Sequence, residues 1–129
     1  MTAETTTDLP IADVTKAGAI QVAANGHTRL PKMEIPNAAI GDSFFNPGGS
    51  RLASGFFELK AGEALEYQYT YDEMKFVVKG EFHLTDLGTG ESIVAKAGEI
   101  IFFPKGVNVK FETPEYALGC FTGDRDFPA

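Results

Sequence analysis

Residues 95–111 read AKAGEIIFFPKGVNVKF. Two turn signals, Ala97-Gly98 and Pro104-Lys105-Gly106, enclose the apolar run EIIFF, and a second run, VNVKFE, starts directly after them. Short runs rich in β-branched and aromatic residues, fenced by glycine and proline, read as strands joined by tight turns. Working outward, the same grammar repeats. SGFFELK ends at Ala61-Gly62, EALEYQYTYDEMKFVVK at Gly80, EFHLTDL at Gly88-Thr89-Gly90, SIVAK at Ala97-Gly98 and VNVKFE at Thr113-Pro114; YALGCFT closes the series. Strands recurring about every ten residues predict an all-β sandwich or barrel.

Upstream the pattern is looser. Residues 11–50 read as short extended pieces broken by Gly26, Pro31, Pro36, Gly41 and Pro47-Gly48-Gly49, and are assigned to N-terminal strands and loops of the barrel. Residues 1–10, rich in threonine and poor in apolar side chains, are expected to form a disordered tail. Residues 51–129 form the core of a single domain. Within that core, Phe82 and Leu84 alternate with Glu81, His83 and Thr85, the signature of a strand with one wet face. MKFVV and EIIFF are nearly continuous instead. They predict strands covered on both sides, by a second layer or by a partner copy, so a homodimer is expected.

Composition narrows the function classes. The chain has 129 residues, 43% of them apolar, and a formal net charge of −7. An acidic surface argues against a nucleic-acid partner. No apolar run is long enough for a membrane helix, so no membrane partner is expected. The opening MTAETTTDLPIADV lacks a basic start and an apolar stretch, so a cytoplasmic location is expected. Cys120 is the only cysteine, which leaves no internal disulfide and no thiolate cluster.

YDEMKFVVKGEFHL, residues 71–84, resembles the first cupin motif beyond its histidine pair, with Glu73 and the closing Gly80 in place. AKAGEIIFFPKGVNVKF resembles the second motif, with Gly98, Pro104 and Gly106 at the family's spacing. The resemblance implies a cupin fold, a double-stranded β-helix or jelly roll with its ligand pocket inside the barrel. Over residues 54–115 the chain is most similar to the cupin domain of EutQ-type ethanolamine-utilisation proteins. That likeness implies a role in ethanolamine catabolism and an acetate kinase-type activity. The chain shows no glycine-rich phosphate loop followed by Lys-Ser/Thr to match such an activity.

A metal-binding cupin supplies His-x-His and Glu from its first motif and His from its second. Here the pair falls on Tyr67/Tyr69, on Glu66/Gln68 or on Gln68/Thr70, according to register, and the second-motif position is Val109. Of four ligands only Glu73 remains. Imidazole is the donor that suits iron, manganese, nickel or zinc in such a site, so no metal and no other cofactor is expected.

What stands in its place follows from the period of a strand. Without a bulge, Tyr67, Tyr69, Tyr71, Glu73 and Lys75 share one face, while Glu66, Gln68, Thr70, Asp72 and Met74 share the other. A bulge near Tyr71 would bring Glu66 and Gln68 inward instead. In cupins the Glu of the first motif points into the barrel, so the tyrosines and Lys75 should lean inward beside it, facing an apolar wall of Val107, Val109 and Phe111. A carboxyl in such a pocket can act as general base or acid, and a phenol beside it can relay a proton. The reading is small-molecule, metal-independent chemistry of isomerase or lyase type. Glu73, Tyr71 and Tyr69 are the candidate catalytic groups; Tyr67, Gln68, Lys75, Val109 and Phe111 are the candidate substrate-binding residues. The plainer alternatives are tyrosines that only pack, a Glu73–Lys75 ion pair that is only structural, and a non-catalytic ligand-binding accessory module. Asp124, Arg125 and Asp126 read as a solvated tail.

Overall fold

The computed structural model describes residues 12–128. The tail expected over residues 1–10 lies outside them. Ten strands account for nearly all the regular structure: β1 Asp13–Ala17, β2 Ile20–Ala24, β3 Ala38–Phe45, β4 Leu52–Lys60, β5 Leu65–Gln68, β6 Glu73–Asp86, β7 Ser92–Lys96, β8 Ile100–Phe103, β9 Asn108–Glu112 and β10 Tyr116–Asp124. A 3-10 turn, Pro47–Gly49, joins β3 to β4. The fold is all-β, as the turn spacing predicts.

The strands form two antiparallel layers that share β6. The first half of β6 pairs with β10 on one side and β8 on the other, within a layer ordered β3-β4-β10-β6-β8. Its second half pairs with β7 and β9, and β9 pairs with β5. The change of layer occurs at Gly80. Its φ of +71° is open to glycine, and a Cβ there would collide with the carbonyl of Tyr116 on β10. β10, the last strand in chain order, sits in the middle of its layer between β4 and β6.

The core lies between the layers. Phe57, Leu59, Val77 and Phe121 enter from one side, and Phe82, Leu84 and Phe111 from the other, all buried. Phe57 stacks on Phe82 at 5.7 Å between centroids and meets the edge of Phe111 at 5.4 Å. Each such side chain contributes roughly 1.5–3 kcal/mol by leaving water.

The reading of MKFVV and EIIFF needs correction for the single chain. Both strands alternate strictly: Glu73, Lys75 and Val77 are buried, while Met74, Phe76 and Val78 are exposed. Ile100 and Phe102 of β8 are exposed as well. The strand register aligns Phe56, Cys120, Phe76 and Ile100 in one row across the outer face, with Met74 beside Phe102 in the next. An outer face this apolar mimics a buried strand in the sequence. Among the described residues, β1 and β2 pair only with each other, so of residues 12–50 only β3 joins the main layers as a strand.

Candidate functional site

The tyrosine strand is interrupted. After Gln68 the chain leaves the ladder, and the loop of the second motif holds it. The Tyr69 amide donates to the Val107 carbonyl, and the Gly106 amide donates to the Tyr69 carbonyl, at 2.9 and 2.8 Å. The Asp72 carboxylate accepts from the Lys105 amide at 2.8 Å. The two motifs that make the sequence recognisable thus grip one another. The two-residue period survives the break, and Tyr67, Tyr69, Tyr71, Glu73 and Lys75 all line one cavity of about 90 Å³ between the layers.

Inside this cavity the polar groups form two connected sets. The Tyr69 hydroxyl donates to Glu73 Oε2 at 2.6 Å, and Lys75 Nζ lies 3.5 Å from the same oxygen. Both charged side chains are nearly sealed, 4% exposed for Glu73 and 3% for Lys75. Higher up, the hydroxyls of Tyr67 and Tyr71 are bonded to each other at 2.8 Å. The remaining wall is apolar, from Phe57, Leu65, Phe111 and the C-terminal Phe127 and Pro128 among others. Burial pushes the Tyr69 phenol far above its usual pKa, with the Glu73 charge adding to the effect. Burial and the bond to Tyr67 do the same to Tyr71. Both phenols are therefore protonated in the resting site. Burial draws the Lys75 ammonium in the opposite direction, below a surface lysine, with Glu73 acting against it.

Of the residues singled out from sequence, the cavity gathers Tyr67, Tyr69, Tyr71, Glu73, Lys75 and Phe111. It does not gather Gln68, nor Val107 and Val109 of the expected wall. Gln68 is exposed, because the unbulged register turns it outward with Glu66. Val109 is buried opposite Tyr67 in the β5–β9 ladder, yet it lines a neighbouring hollow of about 440 Å³ together with Val107. That hollow is larger, but no buried ionisable group reaches it, so the smaller cavity is the better chemical candidate. His83 is partly exposed and bonded to Glu81.

Three contributions were missed. Arg125 is not solvated: it is 1% exposed, its Nη2 lies 2.5 Å from Asp42 Oδ1, and the rings of Tyr71, Phe121 and Phe127 surround it. Arg125 Nη1 also donates to the Phe127 carbonyl, which folds the tail back over the cavity. The other two are Gly119 and Gly123 on β10. A Cβ at Gly119 would lie 2.7 Å from the Lys75 stem, and one at Gly123 would lie 3.2 Å from the Tyr71 ring. Glycines inside a strand signal such close approach. YALGCFTGD carries that signal; the partner of Arg125, 83 residues away, leaves no local trace.

The donor set does not fit a histidine-based metal centre. Val109 offers no ligand, and the Glu73 oxygen is already engaged by a phenol and an ammonium. Among the described residues, no three of His, Cys, Asp and Glu converge to hold an ion.

Two antiparallel layers wrapped around a small cavity, with the first- and second-motif loops clasped at its edge, define a cupin. More narrowly, the chain belongs to the EutQ family, ethanolamine utilisation protein EutQ, whose family model matches residues 6–122. A curated relative, acetate kinase EutQ of Salmonella typhimurium, is 38% identical over 66 residues, 51% of this chain and 28% of that protein. Acetate kinase EutQ of Clostridioides difficile is 33% identical over 76 residues, 59% of this chain and 46% of that protein. The matched segments thus span less than half of either curated relative. The crystal structure of a EutQ protein from S. typhimurium superposes with a TM-score of 0.76 at 24% identity, covering 90% of this chain and 97% of that one. An RmlC-like cupin from Shewanella frigidimarina gives 0.59 at 19% identity, covering 71% of this chain and 79% of that one.

Proposed function

We propose that this chain acts in ethanolamine utilisation as a EutQ-type protein with acetate kinase-type activity, and that its small substrate binds in the tyrosine-lined cavity. The observation that carries the reading is the sealed line Tyr69–Glu73–Lys75 at the cavity wall. It offers a positive charge for a small carboxylate and a phenol donor fixed by the neighbouring acid. A volume of about 90 Å³ matches roughly three waters' share of liquid, the scale of a two-carbon acid. The phosphate donor is too large for this space and would have to meet the substrate from outside it.

A second reading is favoured by the 2.6 Å bond between Tyr69 and Glu73. That pair is arranged for proton transfer without a metal, so isomerase or lyase chemistry on another small substrate uses the same groups. A non-catalytic binding module would use the cavity but no turnover. One experiment separates the three. ATP consumption is measured with and without acetate in wild type and Tyr69→Phe, beside melting curves with acetate. Acetate-dependent turnover lost in Tyr69→Phe supports the first reading. Stabilisation by acetate without turnover favours the binder. Neither turnover nor stabilisation overturns acetate as the ligand and leaves the proton-transfer reading to other substrates.

A further inference from the structure

Lys75 is set up differently from a lysine that merely neutralises a buried acid. Its Nζ lies over four phenylalanine rings: Phe57 at 4.3 Å, Phe111 at 4.7 Å, Phe103 at 5.3 Å and Phe82 at 5.7 Å from their centroids. Its distance to Glu73 Oε2 is 3.5 Å, longer than the roughly 2.7–2.9 Å of a close charge-assisted bond. The carboxylate oxygen is instead gripped by Tyr69 at 2.6 Å. The amine thus keeps most of its hydrogen-bonding capacity unused. Its stem fits only because position 119 has no side chain. A primary amine reaching a small cavity, next to a carboxyl and a phenol that can shuttle protons, is the arrangement for nucleophilic attack on a carbonyl carbon.

We propose that Lys75 condenses with a short-chain aldehyde or ketone in this cavity to form an imine, with Glu73 and Tyr69 moving the protons. The inference rests on the reading of the cavity as a ligand site. The free amine attacks the carbonyl carbon, a C–N bond forms, and the carbonyl π pair moves to oxygen, which takes a proton from Tyr69. The nitrogen gives up a proton to Glu73. Tyr69 regains a proton from Glu73 through their hydrogen bond. A second proton, from the nitrogen by way of Glu73, lets the hydroxyl leave as water, and the C=N bond remains. Amine and carbonyl compound enter; imine and water leave. The lowered pKa of Lys75 supports this by making free amine available nearer neutral pH. A space of about 90 Å³ suits a chain of a few carbons.

Propanal is the probe, with cyanoborohydride to reduce any imine to a stable secondary amine. Intact wild-type protein is treated briefly at pH 7, and labelling is located by peptide mass mapping. Lys79, exposed on the same strand, is the internal reference. Lys75 should label faster than Lys79, because a lowered pKa leaves more free amine at pH 7. Tyr69→Phe should slow labelling at Lys75 and leave Lys79 unchanged. Lys75 labelling no faster than Lys79 overturns the proposal. Melting curves with propanal alone then distinguish the failures: stabilisation without labelling keeps the cavity as a ligand site, and no stabilisation removes the carbonyl ligand as well.

Discussion

Glu73→Gln tests the centre of the site before any substrate is known. The amide oxygen can still accept from Tyr69, so the 2.6 Å bond has a replacement. The charge does not. Lys75, 3% exposed and 3.5 Å from the lost carboxylate, is left as an ammonium among phenylalanine rings. Breaking a buried pair from one side costs roughly 3–5 kcal/mol. The lysine can escape by releasing its proton, and at pH 7 that route costs about 4.6 kcal/mol from an unfolded pKa near 10.4, so it caps the loss in the same range. For a chain of this size the melting temperature should fall by roughly 10–20 °C. The sign of the pH dependence follows from Lys75, whose pKa is lowered in the folded state. The penalty is full at low pH and fades as pH rises towards the unfolded value, because a neutral amine needs no counter-charge. Glu73→Gln/Lys75→Met should recover most of the loss, since an apolar replacement of the whole pair is often neutral or stabilising. Calorimetry of wild type and the two variants at pH 7 and pH 9 measures all of this. A drop below about 1 kcal/mol at pH 7, or one that does not change with pH, refutes the claim that a charged pair is sealed in the cavity.

Asp42→Ala should destabilise by roughly 3–5 kcal/mol in urea unfolding, because Arg125 is left buried without its carboxylate. A second copy should cover the outer face around Phe76, Ile100 and Phe102, so light scattering should report a dimer that Phe76→Lys with Phe102→Lys separates; a monomeric wild type at high micromolar concentration contradicts this. Elemental analysis of purified protein should find well under one equivalent of iron, manganese, nickel or zinc, and near-stoichiometric metal lost in Glu73→Gln would contradict the donor-set argument.

The fold was legible because turns are local. Gly80, Gly98 and Pro104-Lys105-Gly106 mark their strand ends within a few residues, and the topology follows from clasping two motifs. The inward face of the site was legible because the two-residue period carries through the break at 69–72. The dry outer face was not, since an exposed apolar strand and a buried one have the same spelling. Arg125 was misread for another reason. Asp124-Arg125-Asp126 is polar in isolation, and only the folded chain brings Asp42 to the guanidinium. Val109 shows a finer limit: alternation assigns a residue to the interior but not to one of two adjoining hollows.

The central seat of β10 has a consequence for how the protein is made. β4 and β6 both wait for a strand that leaves the ribosome after them, and residues 116–124 must fill the slot between them. Until then two long strands present open edges and apolar faces, the condition that invites pairing between nascent chains. The same late strand supplies Gly119 and Gly123, the backs of the Lys75 and Tyr71 niches. The cavity is therefore incomplete until β10 has been made. A chain released before Gly123 would carry both recognisable motifs and no finished cavity.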